Sequence, residues 1–476
     1  MNTSAHYGTG PIDHAFLALA RQHQPTTGFF LDFAGPVPDF EVLTRRVIRR
    51  AAELPALNLL RPAERGRQRR RWRPRTAEFD AAVHCRQRSG LSGPGELAAA
   101  TNALLRQPLP GADHPPWDLW LLAETTESTE SAAITKSAEN TENTSTTSTA
   151  SGAIDGDGVV VGRFRLCLRV HHAVQDGVGA AYTALALLGD ATVAGPPLYP
   201  ARRPTPAGVL RGASDAVRQL RPYRSWPTLR VPPARRTAWT SQDVPVRDVR
   251  RLADAWGISV NDVCLAGLAQ AVRAWRLADA ASASGCPDLP ILVAMSTRGP
   301  GEQYVPGNHV VGYRLVLPSG TARFADAAAR VRRQTDAVRR TRTRDARRVV
   351  MQNVPHRVGE WAMGFVKNAV PIGASSVTLA DEVTCLGAPL TGASMFYDVH
   401  DALLAYVSFT RAGGVIRCGV VYDEALPNAA HLPHHWREVI DGSSGGDDSP
   451  TLPPATAATT DGRKPSGRPG RPGRSG

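Results

Sequence analysis

Strand-like and helix-like segments alternate on both sides of a proline- and arginine-rich segment, residues 201–236, in the middle of the chain. Apolar residues recur with helical spacing in some segments and with the two-residue period of a strand in others. Such alternation, with several hairpin-like strand pairs, predicts an α/β fold with a mixed sheet flanked by helices in each half. The spacing predicts helices over 40–54, 96–105, 178–188, 209–220, 246–256, 260–275 and 321–342, and strands over 163–172, 289–295, 310–317, 403–409 and 415–422.

Two segments have the composition of an unfolded chain. Residues 124–158 are rich in Ser, Thr and Glu and lack aromatic residues, and residues 441–476 are rich in Gly, Pro, Ser and Asp. Neither segment carries enough apolar surface to offset the entropy lost on ordering. The chain is therefore predicted to divide into an N-terminal lobe (1–200, with a disordered insertion at 124–158), a linker (201–236), a C-terminal lobe (237–440) and a disordered tail (441–476).

The positive charge of the chain has several possible explanations. The 476 residues include 53 Arg but only 3 Lys, and the formal net charge is +13. A GC-rich coding genome produces this excess of Arg over Lys without any binding role, whereas a phosphate-bearing ligand, an anionic membrane surface or nucleic acid would use the charge directly. No apolar run reaches the roughly 18 residues of a membrane-spanning helix, and no signal peptide is evident, so we expect a cytoplasmic protein.

The motifs of several common site classes are absent. The six cysteines include no CxxC pair, so we expect buried free thiols rather than a zinc site or a disulfide framework. The sequence contains no P-loop, GxGxxG or HExxH pattern. A formal GxSxG match lies in the predicted tail, with no strand before it. These observations argue against a metal centre and against a serine-hydrolase triad.

The strongest local motif is HHAVQDG at 171–177, at the end of a predicted strand. Because successive strand side chains point to opposite faces, His171 and His172 face opposite sides of the sheet. His172 shares the apolar face, where desolvation keeps an imidazole neutral and therefore able to act as a general base. Asp176 is better placed to anchor the following turn through an Arg, and Gly177 allows a tight bend. An incidental histidine pair and a metal site with further ligands are the alternatives.

HHxxxDG followed by a helix of small residues resembles the active-site motif of the CoA-dependent acyltransferase superfamily. This superfamily includes chloramphenicol acetyltransferase, nonribosomal peptide condensation domains and the wax ester synthase/diacylglycerol acyltransferase family. Further stretches, in that last family's order, extend the resemblance over about residues 10–123 and 159–430. These stretches are GPIDHAF at 10–16, FDAAVH at 79–84, GPGE at 93–96, LPGADHPPWD at 109–118, SVNDV at 259–263 and AMSTR at 294–298 with Gly307 and Asn308.

The resemblance implies two chloramphenicol-acetyltransferase-like lobes with an active-site tunnel between them. It implies His172 as the catalytic base, His171 as its structural neighbour, Asp176 as an anchor and Gly177 as the turn. The substrate-binding candidates carried over from the motifs are Asn261, Asp262, Ser296, Arg298, Asn308 and Trp117.

Several of these candidates have a structural alternative. Asn261 and Asp262 lie at a predicted helix start, where such residues also serve as caps. Arg298 is a candidate partner for Asp176 or for a phosphate. Trp117 either forms a wall of the tunnel or packs in the core, and Asn308 is a candidate polar group of the tunnel.

The resemblance implies transfer of a fatty acyl group from acyl-CoA to a long-chain alcohol or diacylglycerol, with acyl-CoA as co-substrate and no cofactor. The alternative is an acyltransferase of specialised metabolism that forms an ester or amide from a CoA or carrier-protein thioester. Departures at 115–117 and 376–381 from the family's pattern favour this alternative. The expected partners are acyl-CoA, an alcohol or amine acceptor, a carrier protein and a peripheral membrane or lipid-body surface, with no specific nucleic acid.

Overall fold

The computed structural model describes residues 7–20, 24–62, 71–124, 162–219, 229, 231–278, 286–355, 357–359, 361, 370–399 and 403–445. The predicted insertion after Glu124 and most of the predicted tail lie outside the described residues. The last described helix continues to Gly445, so the C-terminal fold extends beyond the predicted boundary at residue 440.

The described chain forms fourteen strands and eleven α-helices. The strands are β1 Thr26–Ala34, β2 Leu59–Leu60, β3 Arg73–Pro74, β4 Cys85–Leu91, β5 Trp117–Glu124, β6 Arg163–His171, β7 Thr237–Pro245, β8 Leu289–Ser296, β9 Val310–Leu317, β10 Ile372–Thr378, β11 Thr384–Cys385, β12 Ala388–Tyr397, β13 Ala405–Ala412 and β14 Val415–Asp423. The helices are α1 Pro11–Leu19, α2 Phe40–Ala51, α3 Ala81–His84, α4 Gly93–Leu105, α5 Gly177–Leu188, α6 Pro206–Gln219, α7 Val246–Trp256, α8 Val260–Leu277, α9 Phe324–Arg340, α10 Thr343–Asn353 and α11 Leu432–Gly445.

The first six-stranded sheet has the order β11-β12-β1-β6-β5-β4. Strand β6 lies between β1 and β5 and is antiparallel to both, whereas β4 and β5 are parallel. Both faces of β6 are buried: Phe164, Leu166 and Leu168 lie on one face, and Cys167 and Arg169 lie on the other. This central position fixes the end of β6, where the HHxxxDG motif begins.

The second six-stranded sheet has the order β7-β14-β13-β10-β8-β9. Strand β10 is parallel to both of its neighbours, and the other pairs are antiparallel. Helices α7 and α8 are separated at Gly257, as predicted, because this glycine adopts the left-handed conformation (φ 57°) that ends α7. The mixed α/β fold with two helix-flanked sheets is therefore confirmed.

The two sheets do not follow the predicted boundary between lobes. Strands β11 and β12 belong to the predicted C-terminal lobe, 237–440, but they form the edge of the first sheet beside β1. The predicted linker 201–236 also contains the fourteen-residue helix α6. The second half of the chain thus completes the sheet of the first half, a pairing that local sequence patterns do not specify.

Candidate active site

A large cavity of about 820 Å³ is lined by residues of both halves of the described chain. Its walls come from both halves, and most of the lining side chains are apolar. The lining includes Phe16 and His172 from the first half and Leu292, Ala294, Val350 and Met351 from the second half. It also includes Met395 and Tyr397 from β12, the strand of the second half that joins the first sheet.

His172 lies immediately after the last residue of β6, and its side chain lines this cavity. The imidazole stacks on Phe16, with ring centroids 4.2 Å apart, and meets the edge of Tyr397 at 4.8 Å. Burial lowers the pKa of His172 to about 4, so the ring is neutral near pH 7. Its Nδ1 atom is enclosed by protein, which leaves Nε2 as the nitrogen available to a ligand.

His171 faces away from the cavity, as strand alternation predicts. It is fully buried, and its Nδ1 accepts a hydrogen bond from the Ala173 amide at 3.1 Å. Burial, together with the nearby Arg61, lowers the pKa of His171 to about 3. The structure therefore gives His171 a place in the core, beside a cavity that it does not line in the described chain.

Asp176 connects the HHxxxDG turn to the second half of the chain. It caps the N-terminus of α5, where its carboxylate accepts from the Gly179 amide at 2.8 Å. The same carboxylate accepts from the His309 amide at 2.8 Å and forms an ion pair with Arg298 at 2.9 Å. Burial alone would raise the pKa of Asp176, but Arg298 and these amides hold it below its usual range. Asp176 is thus a buried, charged residue that joins the HHxxxDG turn to the second half of the chain.

Arg298 uses its whole guanidinium within the protein. Nε donates to Asp176, and the remaining donors reach the carboxylate and the carbonyls of Glu302, Val305 and Gly307 at 2.7–2.9 Å. The side chain is almost fully buried. Of the two partners expected for Arg298, the structure shows Asp176; because all five N–H groups are occupied, the phosphate alternative is wrong.

Asn308 and Asp13 form a hydrogen-bonded chain behind His172. Asn308 donates from Nδ2 to the His172 carbonyl at 2.7 Å and to Asp13 Oδ1 at 2.8 Å. The Asn308 amide donates to the same Asp13 oxygen at 2.8 Å. Burial raises the pKa of Asp13 to about 6. Asn308 therefore holds the backbone of the histidine.

Sequence reasoning assigned no role to Asp13 or Phe16, although both lie in the GPIDHAF stretch. Asp13 is the third residue of α1 and accepts from the Gly10 amide at 2.7 Å, so it also caps that helix. The helix then places Phe16, one turn later, against His172. The motif was visible in the sequence, but its contact with residues 172 and 308 depends on the tertiary fold.

Gly177 is the first residue of α5 and follows the turn after β6, where the bend was predicted. Its φ is not among the positive values of the described chain, so this bend does not use the left-handed conformation that favours glycine. A Cβ atom at this position would lie 2.4 Å from the Met395 sulfur. The glycine thus allows α5 to approach strand β12 at the cavity wall.

Of the two residues predicted from the ND motif, only Asn261 lines the cavity. Its Oδ1 accepts from the Ser376 hydroxyl at 2.5 Å. Asp262 is fully buried, forms a capping box with Ser259 and accepts from Thr335 at 2.7 Å. Asp262 therefore stabilises the start of α8, and its predicted substrate contact is wrong.

Ser296 lines the cavity, whereas Trp117 does not line it in the described structure. The Ser296 hydroxyl accepts from the Arg298 amide at 3.2 Å. Trp117 is fully buried, donates to the Leu57 carbonyl at 3.0 Å and stacks on His84. The structure thus supports the packing alternative for Trp117 and contradicts its assignment as a substrate-binding residue.

The described residues contain no group of three or more His, Cys, Asp or Glu side chains that could hold a metal ion. All six cysteines are buried free thiols, as predicted. None of the helices in the described chain combines the length and apolar character needed to cross a membrane.

Solved structures of an acyltransferase and of a condensation domain have this architecture. A wax ester synthase/diacylglycerol acyltransferase from Marinobacter aquaeolei VT8 superimposes with a TM-score of 0.58 over 92% of this chain and 100% of that chain, at 18% identity. The first condensation domain of the CDA synthetase superimposes with a TM-score of 0.57 over 93% and 96%, at 17% identity. The chain has the fold of these enzymes.

Two curated sequences, provisionally named diacylglycerol O-acyltransferases, from two strains of Mycobacterium tuberculosis are 25% identical to this chain over 275 residues. The match covers 49% of this chain and 50% of each relative, so the chain spans about half the length of the curated relatives it matches. No protein-family model matches the chain. These relatives agree with the resemblance drawn from the sequence motifs, and the solved structures share the fold that it implied.

Proposed function

We propose that this protein transfers an acyl group from acyl-CoA to the hydroxyl group of an apolar acceptor, with His172 as the general base. The observation that carries this proposal is a neutral, buried imidazole that lines a large, mostly apolar cavity formed by both halves of the described chain. A base of this kind acts without a nucleophilic Ser or Cys, because a thioester is activated enough for direct attack by the acceptor.

The proposed reaction has two steps. Nε2 of His172 takes the proton of the acceptor hydroxyl as its oxygen attacks the thioester carbonyl carbon, which gives a tetrahedral intermediate. The intermediate then expels the CoA thiolate, and the imidazolium returns its proton to the sulfur. The products are an ester and free CoA, and the histidine is neutral again. Asn308 contributes by holding the His172 carbonyl and therefore the direction of the ring.

The cavity supports long, apolar substrates. A volume of about 820 Å³ lies in the upper part of the range for small-molecule sites. Apolar side chains make up most of the lining, and the polar groups among them include His172, Asn261 and Ser296 and the arginines at 298, 339, 344 and 347. These properties suit a fatty acyl chain with a long-chain alcohol or diacylglycerol, and the proposed chemistry needs no cofactor besides the acyl-CoA co-substrate.

The second candidate is an ester- or amide-forming acyltransferase of specialised metabolism that uses a CoA or carrier-protein thioester. The specific observation in its favour is the similarity to condensation domains, whose TM-score of 0.57 nearly equals that of the wax ester synthase. The same imidazole would take the proton of an amine, so the two candidates differ in donor and acceptor rather than in the base.

Apolar side chains are exposed near the cavity entrance and suit a peripheral contact with a membrane or lipid body. Val217, Tyr199 and Trp361 line the cavity and are still 57–69% exposed, and Leu210 on the same helix as Val217 is 73% exposed. A cytoplasmic protein with such a patch would take apolar substrates from a lipid surface. We propose no nucleic-acid partner, since the cavity that holds His172 is lined mostly by apolar side chains.

A substrate panel tests the proposed function. The full chain is incubated with acyl-CoAs or acyl carrier-protein thioesters, and with a long-chain alcohol, diacylglycerol or an amine, and products are measured by mass spectrometry. Ester formation from acyl-CoA and alcohol or diacylglycerol supports the first candidate. Product formed only with a carrier-protein thioester or an amine supports the second, and no transfer with any pair contradicts both.

A further inference from the structure

Arg347 is a buried cation that lines the cavity without a carboxylate partner among the described residues. It lies on α10, and its side chain is 5% exposed. One guanidinium nitrogen donates to the Gly312 carbonyl, while Nε is buried without a hydrogen-bond partner. Asp215, whose negative charge raises the pKa of Arg347, forms its ion pair with Arg218 instead, at 3.0 Å.

Setting Arg276 aside, each of the four other buried arginines in the described chain forms an ion pair with an aspartate. Each of them contacts at least one aspartate at 2.9 Å or less, in the pairs Arg165–Asp32, Arg169–Asp118, Arg298–Asp176 and Arg417–Asp243. A buried charge without such a partner is costly because water no longer solvates it. Consistent with this, burial lowers the pKa of Arg347 to about 10, yet the side chain stays charged near pH 7.

The hydrogen bond of Arg347 to β9 places its side chain in the same cavity as His172. Its carbonyl partner Gly312 lies on β9, four residues after Asn308, which binds the carbonyl of His172. Four residues of chain span at most about 14 Å. The cation and the imidazole therefore line different parts of one cavity, within reach of a single elongated molecule.

We propose that Arg347 binds a carboxylate or phosphate group carried on the acyl or acceptor chain, remote from the atom that reacts at His172. The inference deepens the proposed function, since it takes the cavity as the substrate site. It narrows the substrate to an amphiphile with an anionic group at a distance from the reacting carbonyl or hydroxyl, rather than a wholly neutral lipid. In that complex the substrate supplies the negative charge that the protein does not provide.

Binding of matched ligands tests this proposal without any catalytic turnover. Decanoate, decyl phosphate, 1-decanol and coenzyme A are titrated calorimetrically into the full chain at neutral pH. The wild-type protein is expected to bind at least one of the two anionic ligands about 10- to 100-fold more tightly than 1-decanol, the usual value of a charge-assisted hydrogen bond in a desolvated site.

Three variants identify the residue responsible. Arg347→Gln is expected to abolish the preference for the anion while leaving 1-decanol affinity within about threefold. Arg347→Lys keeps the charge and is expected to retain part of the preference. Arg333→Gln removes the same charge from an exposed position on α9 outside the cavity lining, and it should bind as the wild type does.

Three results would overturn the proposal. The first is a wild-type protein that does not distinguish the anions from 1-decanol, and the second is a preference for the anions that survives in Arg347→Gln. The third is a loss of affinity confined to coenzyme A, which would assign Arg347 to the phosphates of the donor. The proposed function can fail independently of this proposal. If the substrate panel shows no acyl transfer but the wild type still prefers the anionic ligands and Arg347→Gln does not, the anion site stands without the proposed reaction.

Discussion

Arg298, from the loop after β8, donates to both carboxylate oxygens of Asp176, which is 122 residues earlier in the chain. Both side chains are at least 96% buried, and the pair joins the HHxxxDG turn to the second half of the protein. The guanidinium also donates to the carbonyls of residues 302, 305 and 307. Arg298 therefore holds the 302–307 loop against the turn that follows His172.

Loss of the Arg298 side chain is expected to destabilise the protein strongly. Arg298→Met leaves the Asp176 carboxylate buried without its countercharge, which typically costs about 3–5 kcal/mol. Chemical denaturation measures the change in the free energy of unfolding. Arg437→Ala serves as the control, since it removes an exposed pair with Asp441 that is worth at most about 1 kcal/mol. Equal effects of the two variants would show that the buried pair is not an anchor.

Removal of the His172 imidazole is expected to lower the rate of acyl transfer about 10²–10⁴-fold, the usual contribution of a general base. Initial rates with the substrate pair found in the panel measure the effect, and circular dichroism checks the fold. His434→Ala is the matched control, because His434 is exposed and remote from the cavity lining. Activity of His172→Ala within a few-fold of the wild type would exclude it as the base.

The pH dependence of kcat/KM is expected to reflect the low pKa of His172. A base acts in its neutral form, so activity is lost as pH falls through its pKa, about 4, instead of near the value of about 6.5 for an exposed histidine. Asp13 introduces a second titration near pH 6.

Asp13→Asn separates these two groups. Any loss of activity near pH 6 that comes from Asp13 should disappear in this variant, while the loss near the pKa of His172 should persist. A single titration near 6.5 in both proteins would contradict the burial of the imidazole in the working enzyme.

Gly177→Ala is expected to lower stability by about 1–3 kcal/mol, the typical cost of overpacking a core. The added methyl group would lie 2.4 Å from the Met395 sulfur. Thermal or chemical unfolding measures the loss. Gly95→Ala is the matched control: this glycine lies in the first turn of α4 with open space around it, so the variant should be unchanged or up to about 1 kcal/mol more stable. Equal stability of both variants would contradict the close approach of α5 to β12.

Asn308→Ala is expected to reduce kcat about 2- to 12-fold, since one hydrogen bond of about 0.5–1.5 kcal/mol that holds the His172 carbonyl is lost. The effect should be smaller than that of His172→Ala. The acid limb should also shift, because the Asn308 side chain raises the pKa of His172 and lowers the pKa of Asp13. Steady-state kinetics across pH measures both quantities, with the exposed Asn353→Ala on α10 as the control. A loss as large as that of His172→Ala would give Asn308 a direct role in the reaction.

The sequence by itself determined the local features of this site. Alternation along β6 placed His171 and His172 on opposite faces, because the period of a strand is a local property of the backbone. Helical spacing and Gly257 likewise predicted α7 and α8 with the break between them. The ordered motifs predicted the two-sheet fold, which depends on patterns that persist along the whole chain.

Only the tertiary structure decided which distant groups meet. The sequence left Arg298 between Asp176 and a phosphate, and Trp117 between the tunnel and the core, because both choices depend on how two sheets lie against each other. The exchange of β12 into the first sheet is of the same kind, since a strand's pattern does not specify its neighbour. The same packing left Arg347 beside the cavity without a countercharge, because side chains separated by many residues compensate one another only where the fold brings them together.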